Sequence, residues 1–364
     1  MLDKSIILIL DPRGIISNGG IDVLLRHQEY QDNLEILSSS TAALVIITRK
    51  LSFPIPASSS LEVHQASSPF GWLQISRKWI GTNASRVRWV VAGEPWITFW
   101  ICFVSKSLFL RKSKLQLQVH GDFGNPVWRE KSFFKKIRYS SLKFALRLSD
   151  AVRAVGFRQA NFLAQVLRES KEKIFVSAMN YSIGSFRRRE IAVPLTLGFV
   201  GRLESDRGVD IFAKFVSCLG INDETFKVLV IGDGRKKKWL QRKLSILGDR
   251  VRFVGQVGQE QVDSLLSEVS VLCSFAPVES FGRSAREALS RGVPVIGIKS
   301  SGLADLKDVM ETESGLTLLE EKFSSDECVG AVKSAVQLGV DRKVHELLQK
   351  SSALSCKRLI ESWL

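Results

Sequence analysis

Short apolar runs alternate with stretches of mixed polarity along the chain. In the first half the runs Ser5 to Leu10, Ala43 to Thr48, Arg88 to Ala92, Leu115 to Val119 and Ala151 to Val155 read as buried strands, each followed by a turn signal or a helical stretch. That alternation predicts parallel sheets covered by helices. Leu51 to Gly71 is Pro- and Ser-rich with weak periodicity and reads as a long surface loop. The pattern stops between Ser182 and Arg189, where Arg187, Arg188 and Arg189 form a charged run. A second series then begins at Leu195 to Val200 and continues through Lys227 to Ile231, Val251 to Val254, Val269 to Ser274, Val293 to Ile298 and Gly315 to Leu318. The expected organisation is a first domain over residues 1–190, a second over 191–350, and a C-terminal helix over 351–364 packing back toward the first. No short internal repeat is evident, so two doubly wound α/β domains are expected rather than a solenoid.

Composition narrows the class. With 364 residues, 45% of them hydrophobic, the chain has material for sizeable cores, which excludes a disordered tail or a disulfide-stapled miniprotein. The five cysteines are odd in number, far apart and never spaced Cys-x-x-Cys, so neither a disulfide framework nor a structural zinc site is indicated. A reducing, cytoplasmic setting is expected. The apolar stretch Ile6 to Leu10 is shorter than a signal-peptide core, and the longest run, Trp96 to Leu110, is interrupted by Ser105 and Lys106 and too short to span a bilayer.

Charge is unevenly shared. Of the net +15, residues 1–190 hold 28 Lys and Arg against 14 Asp and Glu, whereas residues 191–364 hold 24 against 23. A field that attracts anions on one half suits nucleic acid, an anionic membrane face or an acidic acceptor, and equally a solvated basic surface. From Arg129 to Asp150, cations alternate with Phe133, Phe134, Ile137, Leu142, Phe144 and Leu146. This is a basic amphipathic helix, which can lie on a bilayer or serve as a core helix with a wet face; the core reading is the commoner.

Ligands of open α/β sheets bind beyond the carboxyl ends of strands, so the chemistry is sought there. After Val200 come Gly201-Arg202-Leu203 and then Asp206-Arg207-Gly208 at a helix start. The two guanidinium groups suit a diphosphate, or simple ion pairs with Glu204 and Asp206. Gly232-Asp233-Gly234 begins like a dinucleotide fingerprint, but Lys237 stands where its third glycine is needed, which argues against a nicotinamide dehydrogenase. Pro277 to Leu289 follows a buried strand and opens a helix, so Ser280, Phe281 and Gly282 can offer backbone N–H donors to sugar hydroxyls or phosphates. Glu279 and Glu287 are eight residues apart, roughly 12 Å if helical throughout, which suits the two ends of a nucleotide sugar.

Together, in this order and spacing, Val-Gly-Arg-Leu, the Arg-Gly helix start, Gly-Asp-Gly and Glu-Ser-Phe-Gly with its second glutamate resemble the nucleotide-sugar glycosyltransferases of family 4, over residues 191–320. The resemblance implies the GT-B fold, two Rossmann-like doubly wound parallel-sheet domains facing across a cleft. It also implies a retaining transferase acting on a UDP- or GDP-sugar, with a saccharide or lipid-linked acceptor, in polysaccharide or glycolipid synthesis. By the same resemblance Arg202 and Arg207 hold the donor diphosphate, Glu279 meets the donor sugar and Glu287 the ribose. Gly19 and Gly20 form a glycine-rich loop near the phosphates, and His120 lies near the reacting sugar. Arginine at 207 replaces the usual lysine, and Ser301 to Asp305 replaces a double glycine followed by glutamate. No Asp-x-Asp signature occurs, so the reading calls for no metal and no cofactor. It expects no nucleic-acid partner, and peripheral contact with the inner face of the cell membrane through anionic lipid. The rival readings are another GT-B enzyme, such as a sugar-nucleotide epimerase, and a non-catalytic, basic, membrane-associated binding protein.

Overall fold

The computed structural model describes residues 4–125, 128, 133–168, 171–187, 194–220 and 226–364. The chain divides into one unit of residues 1–180 and 353–364, and a second of residues 181–352. The boundary expected at residue 190, Arg188, Arg189 and the start of the basic segment at residues 129–132 lie outside the described residues.

In the first unit β1 (Ser5–Asp11) leads through a single helical turn, α1 (Ile15–Asn18), into α2 (Ile21–Leu37). Then follow β2 (Ala42–Arg49), β3 (Glu62–Ala66), α3 (Pro69–Asn83), β4 (Val87–Ala92), α4 (Ile97–Phe109) and β5 (Lys114–Val119). The unit continues with α5 (Phe133–Leu148), β6 (Ala151–Ala154), α6 (Phe157–Leu167) and β7 (Ile174–Val176). All strands are parallel, in the order β3-β2-β1-β4-β5-β6-β7. Local chemistry marks the helix starts: Ser68 accepts a bond from the N–H of Gly71, with Pro69 at the first helical position of α3.

The stretch expected as a loop over Leu51 to Gly71 is corrected by β3. This strand sits at the sheet edge, where Glu62 and Gln65 remain exposed and only Ala66 is buried. An edge strand needs little apolar surface, so its sequence carries no apolar run. β7, three half-buried residues at the opposite edge, was unmarked for the same reason.

The second unit runs β8 (Leu195–Val200), α7 (Val209–Cys218), β9 (Phe226–Ile231), α8 (Lys237–Leu244), β10 (Val251–Gly255), α9 (Gln259–Leu266) and β11 (Val271–Ser274). After it come α10 (Arg283–Ser290), β12 (Val295–Ile298), α11 (Ser301–Met310), β13 (Leu316–Leu319), α12 (Ser325–Leu338) and α13 (Arg342–Glu361), the last ending in the first unit. Its parallel sheet has the order β10-β9-β8-β11-β12-β13. Both sheets therefore reverse direction of growth beside their first strand, at β1/β4 and at β8/β11, and crevices form beyond the carboxyl ends at such points. Each sheet is apolar on both faces, as parallel sheets between helices must be.

Candidate functional site

In the second unit the loops after β8 and β11 leave adjacent strands at the switch point. The β8 exit turns through Gly201 and a 3-10 turn, Ser205–Arg207, to Gly208, the cap of α7. Gly208 has φ 71°, and a Cβ there would strike the Phe275 carbonyl beyond β11. Glycine thus lets the two loops touch. This places Arg207 Nη1 3.1 Å from Glu279 Oε2. The other oxygen of Glu279 accepts from the Phe281 N–H at 3.2 Å, and the Glu279 carbonyl accepts from the Gly302 N–H at 2.8 Å. Gly302 is also required by contact, since a Cβ would meet the backbone nitrogen of Phe281.

α10 starts only at Arg283, behind Gly282 with φ 75°. Two sequence expectations change accordingly. Glu279 and Glu287 are not separated by helical rise throughout, because residues 279–282 form a loop. Of the expected backbone donors, the Phe281 N–H is engaged by the Glu279 carboxylate. Ser280 and Phe281 are both buried.

Glu287 is almost fully buried. Its Oε1 accepts from Arg283 Nε at 3.0 Å and from the Ser182 N–H at 3.3 Å. Arg202 is exposed and pairs with Asp206 at 3.5 Å, the arrangement expected of a surface pair. Such a pair contributes little and is easily exchanged for another anion. Gly232, with φ 137°, lets β9 leave close to β8, for a Cβ would strike the Gly201 carbonyl. Its position is accounted for by backbone approach.

Arg286 escaped the sequence reading. It lies buried with its guanidinium 4.2 Å from the Phe281 ring centroid, its Nε donating to the Phe281 carbonyl at 3.1 Å and its side chain hydrogen-bonded to Tyr181. Burial lowers its pKa, opposed by Tyr181, Asp305 and Glu279; guanidinium is nonetheless charged at any ordinary pH. It braces the Ser280–Gly282 turn from beneath.

In the first unit Asp11, at the end of β1, caps α1: its carboxylate accepts from the Ile15 and Ile16 N–H groups at 2.9 and 3.0 Å, and from Thr48 Oγ1 at 2.8 Å. Gly19 and Gly20 join α1 to α2, and Gly20 has φ 80°. Gly19 lines a cavity of about 320 Å³ together with Arg26, His27, His120 and Arg153. His120 Nε2 lies 3.2 Å from Gln118 Oε1, and His27 Nδ1 lies 2.7 Å from the Val23 carbonyl.

Arg153 is buried on β6, and its guanidinium donates to neutral acceptors: the carbonyls of Ser177 and Ala178 at 3.0 and 2.7 Å, and Gln118 Oε1 at 3.3 Å. Arg26 and Arg153 thus outnumber the one carboxylate of the lining, Asp11. His120 is pushed down to about 3 by burial and then by Arg153, Arg26 and His27; His27 falls to about 4, again chiefly through burial. Both imidazoles are neutral at pH 7 and act as hydrogen-bonding groups. The signal for Arg153 was present in the sequence, as a charge inside the apolar run Ala151 to Val155.

Residues 186–356 match the family model described as glycosyl transferases group 1. Along 99% of the chain the structure superposes on 97% of Anabaena HepE, solved in complex with UDP and glucose, with TM-score 0.66 and 17% identity. The fold is GT-B. Among curated proteins the chain is similar to the GDP-mannose-dependent alpha-mannosyltransferase of Corynebacterium glutamicum, 32% identical over 34% of this chain and 27% of that protein. It is also similar to the GalNAc-alpha-(1->4)-GalNAc-alpha-(1->3)-diNAcBac-PP-undecaprenol alpha-1,4-N-acetyl-D-galactosaminyltransferase of Campylobacter jejuni, 28% identical over 65% of this chain and 62% of that one. The chain thus spans less than two thirds of the length of either relative. The GT-B sheets supply the switch points from which Arg207, Glu279 and the glycine-rich loop project.

Proposed function

We propose that this protein is a retaining glycosyltransferase of the family 4 type, which moves a sugar from a UDP- or GDP-sugar to a saccharide or lipid-linked acceptor. The observation that carries the reading is Glu279 held between Arg207 at 3.1 Å and the Phe281 N–H at 3.2 Å, at the β8/β11 switch point. Residues 191–350 bind the donor and residues 1–190 serve the acceptor. The relatives' names support a nucleotide-sugar donor and an acceptor that is lipid-linked in one case.

In this reading Arg207 and Arg202 face the donor diphosphate, Glu279 the transferred sugar and Glu287 the ribose. A carboxylate accepts roughly four hydrogen bonds, so Glu287 has capacity for ribose hydroxyls beside its bonds to Arg283 and Ser182. As the anomeric bond breaks, positive charge grows on the sugar and negative charge on the diphosphate. Guanidinium groups fixed beside the diphosphate oppose that charge where it develops and lower the barrier. Gly19 and Gly20 let backbone approach the phosphates, and neutral His120 holds a hydroxyl of the reacting sugar. Cytoplasmic location with peripheral contact to anionic membrane belongs to the same reading; among the described residues no helix is long and apolar enough to cross a membrane.

Thermal melting against a panel of UDP- and GDP-sugars tests it. A donor at a hundredfold excess over its Kd adds about 2.7 kcal/mol of stability, readily seen as a raised Tm. Glu279→Gln should keep the fold and lower transfer by about 10²- to 10³-fold. A folded chain whose melting no donor moves refutes the reading.

A further inference from the structure

A charge taken out of water ordinarily has a counter-charge beside it, because an unpaired buried ion is strongly destabilising. Arg153 departs from that rule. It is 1% exposed near the end of β6, and none of its hydrogen-bond partners among the described residues is a carboxylate. Neutral groups fix the guanidinium instead. Nε donates to the Ser177 carbonyl and Nη2 to the Ala178 carbonyl, with the Tyr30 hydroxyl at 3.4 Å and the Tyr30 ring centroid 5.8 Å from Cζ.

Its remaining partner, Gln118, is itself oriented from the end of the chain. Trp363 Nε1 can only donate, and it donates to Gln116 Oε1 at 3.0 Å. That oxygen accepts from Gln118 Nε2 at 3.4 Å, so Gln118 Oε1 is the atom turned toward Arg153 Nη1 at 3.3 Å and His120 Nε2 at 3.2 Å. The positive charge is therefore set in place before any ligand arrives. A tie between β6 and β7 does not require it, since a neutral amide can bond the same carbonyls. What the charge adds is attraction for an anion.

Space for one adjoins it. The cavity of about 320 Å³ lies at the small end of ligand pockets, and Arg26 of α2 enters the same lining. Its one carboxylate, Asp11, is engaged by the Ile15 and Ile16 N–H groups and by Thr48. Ile9, Val23, Val91 and Met179 contribute apolar wall. With both histidines neutral, two guanidinium groups against one carboxylate leave a single positive charge in excess. A group with one negative charge balances it.

We propose that this cavity seats an anionic group of the acceptor, a singly charged oxyanion held by Arg153 and Arg26 with the adjoining apolar part of the molecule against the walls. The carboxylate of an acidic sugar and the phosphodiester of a sugar joined to lipid through phosphate share that chemistry. The proposal rests on the reading that the first unit serves the acceptor, and adds that an uncharged saccharide is a poor one.

Matched pairs of charged and neutral probes decide it on the full chain at constant ionic strength: methyl glucuronide against its methyl ester, and dimethyl phosphate against trimethyl phosphate. At least one anion should move the His27 and His120 imidazole resonances and raise Tm, binding about tenfold or more tighter than its neutral partner. Response to the glucuronide alone assigns an acidic saccharide, and response to the phosphodiester alone a phosphate-linked acceptor. Arg26→Gln, at a half-buried position of α2, should weaken that binding by about tenfold, as should Arg153→Met where it folds, while the rise in Tm given by donor stays as in the parent. Arg77→Gln, the same charge removed elsewhere, should bind within about twofold of the parent. Equal binding of anion and ester, imidazole resonances that neither anion moves, unchanged binding in Arg26→Gln, or equal loss in Arg77→Gln overturns the proposal. A chain that answers donors but neither anion keeps the transferase reading and loses this one; a chain that binds an anion here but no donor has an anion site without the acceptor role.

Discussion

At the scale of single residues, three glycines with similar roles in the chain path differ in what surrounds them. Gly208 and Gly20 both have positive φ, but a Cβ at Gly208 would strike the Phe275 carbonyl whereas one at Gly20 meets open space. Gly208→Ala should therefore combine backbone strain with a clash that separates the β8 and β11 loops, at about 2–4 kcal/mol. Gly20→Ala carries strain alone, about 1–3 kcal/mol, because φ 80° with ψ near 180° is open almost only to glycine. Urea melts of the two variants measure both costs, and a Gly208→Ala cost below about 1 kcal/mol would contradict the contact with Phe275. Gly302 belongs with Gly208, since its missing side chain admits the backbone of Phe281 and thereby the bond to the Glu279 carbonyl.

At the scale of elements, β1, α2, β5 and β6 together make the cavity in which His27 and His120 lie beside Arg26 and Arg153. Histidines at about 4 and 3 in the folded chain, against 6.5 for the free side chain, leave the unfolded chain binding more protons between those values. Their contribution is complete above about pH 6.5 and is lost as pH falls. For His120 the loss by pH 5 is about 2 kcal/mol. His120→Asn should flatten the dependence of melting on pH between about 5 and 6.5, and the His27 and His120 imidazole resonances of the parent should fail to titrate there. The same elements explain what the sequence disclosed. Strands buried on both faces, such as β1 and β8, announce themselves as apolar runs, and the Glu279–Gly282 turn is legible because its residue types are set by backbone contact. Edge strand β3 has an exposed polar face and leaves no run. Arg286 looks like any surface cation until α10 turns it beneath Phe281.

For the whole molecule, the end of the chain has a consequence for how it unfolds. The last residues, 353–364, belong to the first unit, where Leu359, Ile360 and Trp363 join a core formed with β1, β2 and α2. Trp363 is 1% exposed, meets Tyr30 edge-on at 6.3 Å between ring centroids, and donates from Nε1 to Gln116 Oε1 at 3.0 Å. Gln116 is itself buried in β5, so losing the indole leaves a cavity and removes a partner from a buried amide. Trp363→Ala should cost about 3–5 kcal/mol. Because each unit has its own core, that cost falls on the first unit, and calorimetry should show a transition that moves down while the other keeps its temperature. If both transitions fall together, the terminal segment stabilises the molecule as one cooperative body and the division at Tyr181 carries no thermodynamic weight.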